Sequence, residues 1–232
     1  VVEDDTLVAE YTVNYKKTHS QTLLPMLDEL AKMTELDMDT IDAIAVAAGP
    51  GSFTGLRIGS ATAKGLGLAL KKPLVEIPTV DALAYNLYDA KALICPIMDA
   101  RRSQVYTGIY RFEDHKLVTV EAQMAVPMME MIDKLNERGE EVIFLGDGVP
   151  VFAKMIQENL KVPYSFAPAH VNKQRAAAVA ALGALYAKEG KVVTAMEHVP
   201  EYLRVSQAER ERAQKLKEQE AAGEAAKNEV QP

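Results

Sequence analysis

The sequence predicts an α/β fold with two lobes, each built from strands and then helices. Three observations support this fold class. Strand-length apolar runs alternate with helical patterns, a second group of strands begins near residue 92, and 232 residues with 48% hydrophobic content can bury a sizeable core. We therefore divide the chain into an N-terminal lobe (residues 1–91), a C-terminal lobe (92–205) and a charged tail (206–232).

The N-terminal lobe opens on two short strands and a helix. The run VVEDDTLVAEYTVN is typical of two strands around a turn at residues 3–6. In THSQTLLPMLDELAKM, Thr18 and Gln21 have capping-box spacing and leucines recur at helical intervals, while Pro25 predicts a bend. Because the chain begins at Val1 directly in a strand-like run, we expect the first strand of this lobe to be missing.

A parallel sheet is predicted for the rest of this lobe. IDAIAVAAG is an apolar run of strand length, typical of a strand covered on both faces. A glycine-rich helix follows over residues 52–70, then the strand PLVEIP and a helix over residues 79–90. This alternation of strand and helix is typical of α/β sheets.

The second half begins with strands and ends with helices. ALICPIMDA, SQVYTGIYRF and KLVTVEAQMAV are typical of three strands separated by short turns. These strands are followed by a helix, the strand EVIFLG, a helix from about Val151 and the alanine-rich helix RAAAVAALGALYAKEG. Gly190 is placed where the alanine-rich helix would end. In the tail, Ser206 and Glu209 fit a capping box, which leaves a fraying, solvated helix or an arm that docks on a partner.

Small residues recur every fourth position in the glycine-rich helix, at Gly55, Gly59, Ala63 and Gly67. Each helical glycine costs about 1 kcal/mol relative to alanine, so a compensating packing role is expected. A ridge almost without side chains lets another backbone approach closely. Two interpretations stay open: the ridge lies flat on the protein's own sheet, or it packs on a helix of this chain or of a partner.

The turn before this helix is a candidate anion site. Gly51 and Ser52 would present backbone N–H groups at a helix N-terminus, where anions are attracted. The P-loop pattern is absent, however, because Gly55 is followed by Leu56 rather than lysine. We therefore do not expect direct nucleotide chemistry here.

Two further turns carry polar candidates at the sheet edge where α/β sites usually form. Asp99 ends a strand and is followed by Arg101 and Arg102, and Gly146 and Asp147 form a strand-to-helix turn in LGDGVP. In the structural interpretation, Asp99 contacts an arginine within its turn, and Asp147 caps the helix that follows. The alternative for both turns is contact with a ligand.

No set of acid, base and nucleophile stands out. The chain has four histidines without metal-binding spacing: His19, His115, His170 and His198. A helical partner of His19 would stand at position 22 or 23, where threonine and leucine occur, so no metal site is predicted. Cys95 lies in an apolar run and is expected to be a buried structural thiol, and Ser52 lacks the G-x-S-x-G elbow. The chain does not have the pattern of a catalyst.

Charge and composition restrict the function classes further. The formal net charge is −7 without a Lys/Arg cluster, so any RNA would have to be bound through a basic partner. A single cysteine excludes an intrachain disulfide, and the sequence has no apolar run of about 18 residues. We expect a cytoplasmic protein that makes no membrane contact.

Several stretches resemble the signature of the TsaB (YeaZ) family. AVAAGPGSFTGLRIGSATAKGLGLAL, which contains the glycine-rich helix, is the most specific of them. HSQTLLPML, DARRSQVYTGIY, LGDG and PEYLRVSQAE also match in the family's order, so the resemblance spans residues 1–209.

The resemblance implies an actin/Hsp70/sugar-kinase-like fold, which is a duplicated ribonuclease H-like architecture. It implies a non-catalytic subunit for N6-threonylcarbamoylation of adenosine 37 in tRNAs that read ANN codons. The partners would be the metal-bearing transferase TsaD, in a heterodimer, and the ATPase TsaE, with tRNA bound only through the complex. Without TsaD the chain would form a homodimer.

The family also implies where the partner binds. The helices at residues 18–33 and 52–70 would form a bundle with matching helices of TsaD. The implied interface residues are His19, Leu23, Leu27, Gly55, Arg57, Gly59, Ala63 and Gly67. No tightly bound cofactor is expected, and ATP or ADP at the complex interface would contact Gly51, Ser52, Asp99, Gly146 and Asp147.

One departure bears on catalysis, and two alternatives stay open. TsaD-type subunits carry paired histidines on the first helix, whereas this chain has only His19, and one imidazole cannot hold a metal. The first alternative is an active ATP-dependent or peptidase-like enzyme that uses Asp99 and Asp147. The second is a homodimeric binding module that pairs through the same helices.

Overall fold

The computed structural model describes residues 1–15 and 19–204, which form a mixed α/β structure. The first half contains β1 (Val2–Glu3), β2 (Thr6–Leu7), α1 (His19–Met33), a 3-10 helix (Met38–Thr40), β3 (Ile44–Gly49), α2 (Phe53–Leu70), β4 (Leu74–Pro78) and α3 (Thr79–Tyr85). The second half contains β5 (Leu93–Asp99), β6 (Gln104–Glu113), β7 (Lys116–Pro127), α4 (Met128–Arg138), β8 (Val142–Leu145), α5 (Val149–Asn159), β9 (Tyr164–Phe166) and α6 (Ala176–Lys188). The predicted capping residues Thr18 and Ser206, and the tail 206–232, lie outside the described residues.

The strands form three sheets. β1 and β2 pair antiparallel, and β3 and β4 pair parallel with Ile44 opposite Leu74. The five remaining strands form one sheet in the order β7-β6-β5-β8-β9, in which β8 is parallel to both of its neighbours. Among the described helices, none has the length and apolarity to cross a membrane.

β5 lies at the centre of the large sheet and is buried on both faces. Leu93, Cys95 and Ile97 pack against α4 and α5, whereas Ile94 and Met98 pack against α3. This division follows the two-residue period of a strand. The predicted burial of Cys95 is confirmed, and desolvation raises the pKa of its thiol to about 12. The thiol is therefore structural rather than reactive.

α6 comes late in the chain but packs on the strands of the first half. Leu182 joins the buried cluster of β3 and β4, and a Cβ added at Gly183 would lie 2.5 Å from the Cβ of Ala45. Arg175, which precedes α6, forms an ion pair with Glu10 after β2. Contacts therefore cross the boundary predicted at residue 91, and the division into lobes stays a prediction.

One helix is shorter than predicted. α3 ends at Tyr85 rather than residue 90, and the side chain of its C-cap residue Asn86 donates to the carbonyl oxygens of Val171 (2.9 Å) and Lys173 (2.7 Å). Pro25 lies inside α1, which is continuous from His19 to Met33, and the bend expected there stays a prediction.

Residues 193–204 follow α6 and connect the two halves of the molecule. Val193 exchanges backbone hydrogen bonds with Leu74, both 2.9 Å, and the Glu201 N–H donates to the carbonyl of Ala48 at 2.7 Å. At the far end, the Arg204 guanidinium donates to the carbonyl of Ala100, which follows β5, also at 2.7 Å. This 193–204 segment thus binds β4, β3 and the β5–β6 turn in succession.

Candidate docking face and polar sites

α2 begins where its sequence provides a cap. Ser52 has an extended backbone, and its Oγ accepts a hydrogen bond from the Gly55 N–H at 3.4 Å. The helix then buries one stripe of residues at helical spacing: Leu56, Ser60, Ala63 and Gly67. The stripe packs against β4 and the 193–204 segment, since Ala63 shares a buried cluster with Leu74 and Ala195.

The small-residue ridge of α2 is divided between two surroundings. A Cβ added at Gly67 would lie 3.0 Å from Leu74 Cδ2 and 3.2 Å from the Lys72 carbonyl, and Ala63 is buried. Among the residues that the structure describes, a Cβ at Gly59 would meet nothing within 4 Å, and one at Gly55 would meet only Ser52. The second half of the ridge therefore lies on the protein's own core, as one of the two interpretations expected. The partner interface that the family resemblance implies for these residues stays a prediction.

α1 is amphipathic yet buries none of its residues. Leu24 and Leu27 are exposed, His19 is exposed as well, and Leu23 is only half-buried. α1 contacts α2, and we call the exposed side of these two neighbouring helices the docking face. Apolar side chains exposed on a rigid helix are typical of surfaces that bind a partner.

Arg57 gives the docking face a positive charge. Its guanidinium lies 4.3 Å from the centroid of the Phe53 ring, and Phe53 in turn contacts the Tyr202 ring. No carboxylate within the described ranges forms an ion pair with Arg57. The described carboxylates therefore leave this charge available to a further acidic group.

A Ser–His–Glu arrangement joins α2, β4 and the 193–204 segment. His198 Nδ1 lies 2.6 Å from Glu76 Oε1, and its Nε2 lies 2.9 Å from Ser60 Oγ. The distances match those of a nucleophilic serine with its base. His198 is fully buried and Ser60 is 5% exposed within a helix, however, so a substrate has no access to either group. The arrangement anchors the 193–204 segment.

Sequence reasoning missed this arrangement. Ser60 and Glu76 are separated from His198 by 138 and 122 residues, so no local spacing connects them. His198 lies two residues before the family motif PEYLRVSQAE, and this position did not indicate which residues it contacts.

The predicted sheet-edge carboxylates are brought together. Asp99 is the last residue of β5 and Asp147 follows β8, and these two strands are adjacent in the sheet. Burial raises the pKa of Asp147, and the charge of Asp99 acts in the same direction. Asp99 accepts the Arg101 N–H at 2.8 Å and pairs with its guanidinium at 3.2 Å, as the structural interpretation of this turn predicted. Two facing carboxylates repel phosphate, so the pair does not favour an anion unless a cation intervenes.

The other predicted anion contacts have structural uses. Ser52 Oγ serves as the α2 cap, and Gly51 packs against Leu56. Gly146 has a φ of 109° and lies against the backbone of Ile97, where a side chain would not fit. Within residues 1–15 and 19–204, no three His, Cys, Asp or Glu side chains are grouped so that they could hold a metal.

A second polar cluster lies between α3, β6, β7 and the 193–204 segment. The Tyr110 hydroxyl donates to Asp81 at 2.7 Å, and Gln123 donates to Glu201 at 2.7 Å. Burial raises the pKa of Asp81, and the charge of nearby Glu201 raises it further, against the lowering effect of the Tyr110 hydrogen bond. Within the described ranges, Thr79 Oγ1 and Gln123 Oε1 are buried without a hydrogen-bond partner.

Comparison with known proteins identifies relatives of this chain. Residues 6–212 match the family described as "TsaD: tRNA N6-adenosine threonylcarbamoyltransferase". The Bacillus subtilis "tRNA threonylcarbamoyladenosine biosynthesis protein TsaB" is 34% identical over 209 residues, which cover 90% of each chain. The Escherichia coli protein of the same name is 28% identical over 57% of this chain and 58% of its own.

Solved structures show the same fold. "YeaZ from Pseudomonas aeruginosa" superposes with a TM-score of 0.70 at 24% identity, covering 87% of this chain and 92% of its own. A second structure, titled as an uncharacterized protein with similarity to peptidase YEAZ from the same organism, gives 0.69 at 25% identity over 81% and 85% of the two chains. Together with the family match, these likenesses confirm the predicted actin-like, ribonuclease H-like α/β fold.

Proposed function

This chain belongs to the TsaB (YeaZ) family of tRNA threonylcarbamoyladenosine biosynthesis proteins, and from that membership we propose that it is a non-catalytic docking subunit of the modifying complex. Its partner is a TsaD-type transferase, which carries out the transfer to adenosine 37, and TsaE supplies the ATPase. The chain contributes a binding surface and takes no part in the chemistry.

One observation carries this proposal: α1 buries none of its residues although it presents exposed leucines at helical spacing. Apolar area that stays in water contributes nothing to folding, whereas covering it is worth about 25 cal/mol per Å². A second amphipathic helix laid against α1 and α2 would bury this area. The side-chain-poor positions Gly55 and Gly59 would then allow close approach of that helix.

The chemistry of the polar groups agrees with a non-catalytic role. Ser60 and His198 are closed to solvent, and the Cys95 thiol is buried with a raised pKa. His19 lies on the first turn of α1 and belongs to no group of potential metal ligands among the described residues. Asp99 and Asp147 are the groups on which an ATP-dependent or peptidase-like activity would depend. Loss of a measured ATP hydrolysis in Asp99→Ala would favour that alternative.

The test is replacement of Gly59 by leucine. Leucine favours the helical state by close to 1 kcal/mol over glycine, so α2 should persist, while the added side chain blocks helix approach. Light scattering with size-exclusion chromatography should show a 1:1 complex of the unaltered chain with the TsaD-type subunit of its organism. Gly59→Leu should give no complex.

The matched control is Lys154→Leu, which places the same side chain on the exposed side of α5. It should bind the transferase as the unaltered chain does. Binding of Gly59→Leu at full strength would show that another surface docks. Failure of the unaltered chain to bind would contradict the proposed function, and a stable homodimer in that case would favour the binding-module alternative.

A further inference from the structure

The 193–204 segment runs antiparallel along the full length of α2. Ala195 lies beside Gly67, where a Cβ added to the glycine would be 3.4 Å from the alanine Cβ. His198 Nε2 is 2.9 Å from the Oγ of Ser60, which lies about two turns nearer the N-terminus of α2 than Gly67. At the start itself, the Tyr202 and Phe53 rings lie 5.1 Å apart. The segment therefore borders the docking face along one side of α2.

This segment presents two large apolar side chains to solvent between its buried residues. Ala195 and His198 point inward, whereas Met196 is 78% and Val199 is 66% exposed. Side chains of this size and exposure on a folded segment are typical of binding surfaces.

The backbone that carries Met196 and Val199 is held in place. The Thr194 N–H and hydroxyl both donate to Glu197 at 2.9 Å, and the His198 N–H donates to the Thr194 carbonyl at 3.1 Å. The Val199 N–H donates to Glu76 at 3.3 Å. A surface that is already ordered loses little conformational entropy when a partner binds.

The number of exposed positions also favours an extended face. A stable interface takes about 20–30 residues from each partner. α1 offers ten exposed positions and α2 offers six, so the two helices reach that range only when half-buried positions such as Gly59 are covered as well. The 193–204 segment adds six exposed positions beside them.

The positive charge of Arg57 indicates which kind of partner group would lie where α2 meets the 193–204 segment. Arg57 lies on the Phe53 ring next to Tyr202 and has no carboxylate partner within the described ranges. The acidic side chains of the segment are engaged elsewhere, Glu197 with Thr194 and Glu201 with Gln123. A carboxylate of the bound partner would satisfy Arg57.

We propose that the docking face continues from α1 and α2 onto the 193–204 segment, so that the TsaD-type subunit covers Met196 and Val199 and places a carboxylate near Arg57. This inference rests on the proposed function, because it names an additional surface for the same partner. The Ser60–His198–Glu76 arrangement is then a positioning device that fixes part of the interface.

The test measures the affinity of the TsaD-type subunit for single variants by isothermal titration calorimetry. Met196→Glu and Val199→Glu should each weaken binding by about 10-fold or more, because the partner would have to bury a carboxylate without a compensating charge. Met196→Leu should keep the affinity, because its side chain is apolar and similar in volume. Arg57→Gln should weaken binding less, and its affinity should depend less on salt.

The matched control is Val151→Glu, an exposed valine on α5 that is 58% exposed. It should change affinity by less than about two-fold, since a remote surface position carries little binding energy. Full affinity of both Met196→Glu and Val199→Glu, together with failure of Gly59→Leu to bind, would overturn this inference and leave the proposed function intact. Failure of the unaltered chain to bind would instead reject the proposed function.

Discussion

At the scale of single residues, Asp81 is a carboxyl group whose surroundings oppose its charge. It is removed from water at the start of α3, faces the negative charge of Glu201, and accepts one hydrogen bond from Tyr110. Burial and the neighbouring charge raise its pKa, so its ionised form makes the folded state less stable.

We predict that Asp81→Asn is at least as stable as the unaltered protein at pH 7. The asparagine carbonyl still accepts the Tyr110 hydroxyl but carries no charge. As the pH falls through the raised pKa of Asp81 towards the unfolded value of about 3.9, the folded aspartate binds a proton first and gains stability relative to the variant. Urea unfolding of both proteins between pH 7 and pH 4.5 measures this difference.

Other groups titrate in the same interval, and the comparison removes their effect. The hydrogen bond from Arg138 lowers the pKa of Glu121, so that this pair loses stability as the pH falls in both proteins. Val151→Asn, on the exposed side of α5, is the control and should show no such trend, because it changes no titratable group. A stability difference between Asp81→Asn and the unaltered protein that is independent of pH would contradict the prediction.

At the scale of elements, the glycines of α2 lie in different surroundings. Gly67 lies against Leu74 and the backbone of Lys72, where a Cβ would be crowded. Gly65, two positions earlier, faces open space. The glycine at position 67 therefore allows close packing on β4, and the one at position 65 costs stability without a compensating contact in the described part of the chain.

We predict opposite effects for alanine at these two positions. Gly65→Ala should raise the free energy of unfolding by about 0.5–1 kcal/mol, because alanine has the higher helix propensity. Gly67→Ala should lower it by about 1 kcal/mol, since the Lys72 carbonyl belongs to the backbone and cannot move freely. Chemical denaturation measures the free energy of unfolding of both variants. An equal increase in the two variants would contradict the prediction, because it would mean that α2 and β4 leave room for a side chain at position 67.

At the scale of the whole molecule, the 193–204 segment joins the two halves of the chain. His198 fixes it to α2 and β4 in the first half. Arg204 fixes it to the carbonyl of Ala100 in the second half. If the segment acts as one unit, loss of either anchor should weaken the contribution of the other.

We therefore predict that His198→Ala and Arg204→Ala are not additive. Each should lower the free energy of unfolding by about 1–3 kcal/mol, because buried polar groups lose their partners. The double variant should lose at least about 0.5 kcal/mol less than the two effects together. Pairing His198→Ala with Lys154→Ala, on exposed α5, should give additive values. Additivity in the first cycle would mean that the two ends of the segment act independently.

Local features of the sequence determined the elements and the family. Apolar runs of strand length predicted β3 and β5, and the glycine-rich stretch after Ser52 predicted α2. The Ser52 cap set the start of α2, and the glycine-rich motif identified the relatives, because these signals depend only on residues near each other in the chain.

Tertiary structure alone decided which faces are buried and which distant groups meet. It placed Gly67 on the protein's own core and Gly59 beside open space, although both belong to one repeating pattern. It also brought His198 to Ser60 across 138 residues. Such convergence follows from how strands and helices pack, and packing depends on non-local contacts that no short stretch of sequence contains.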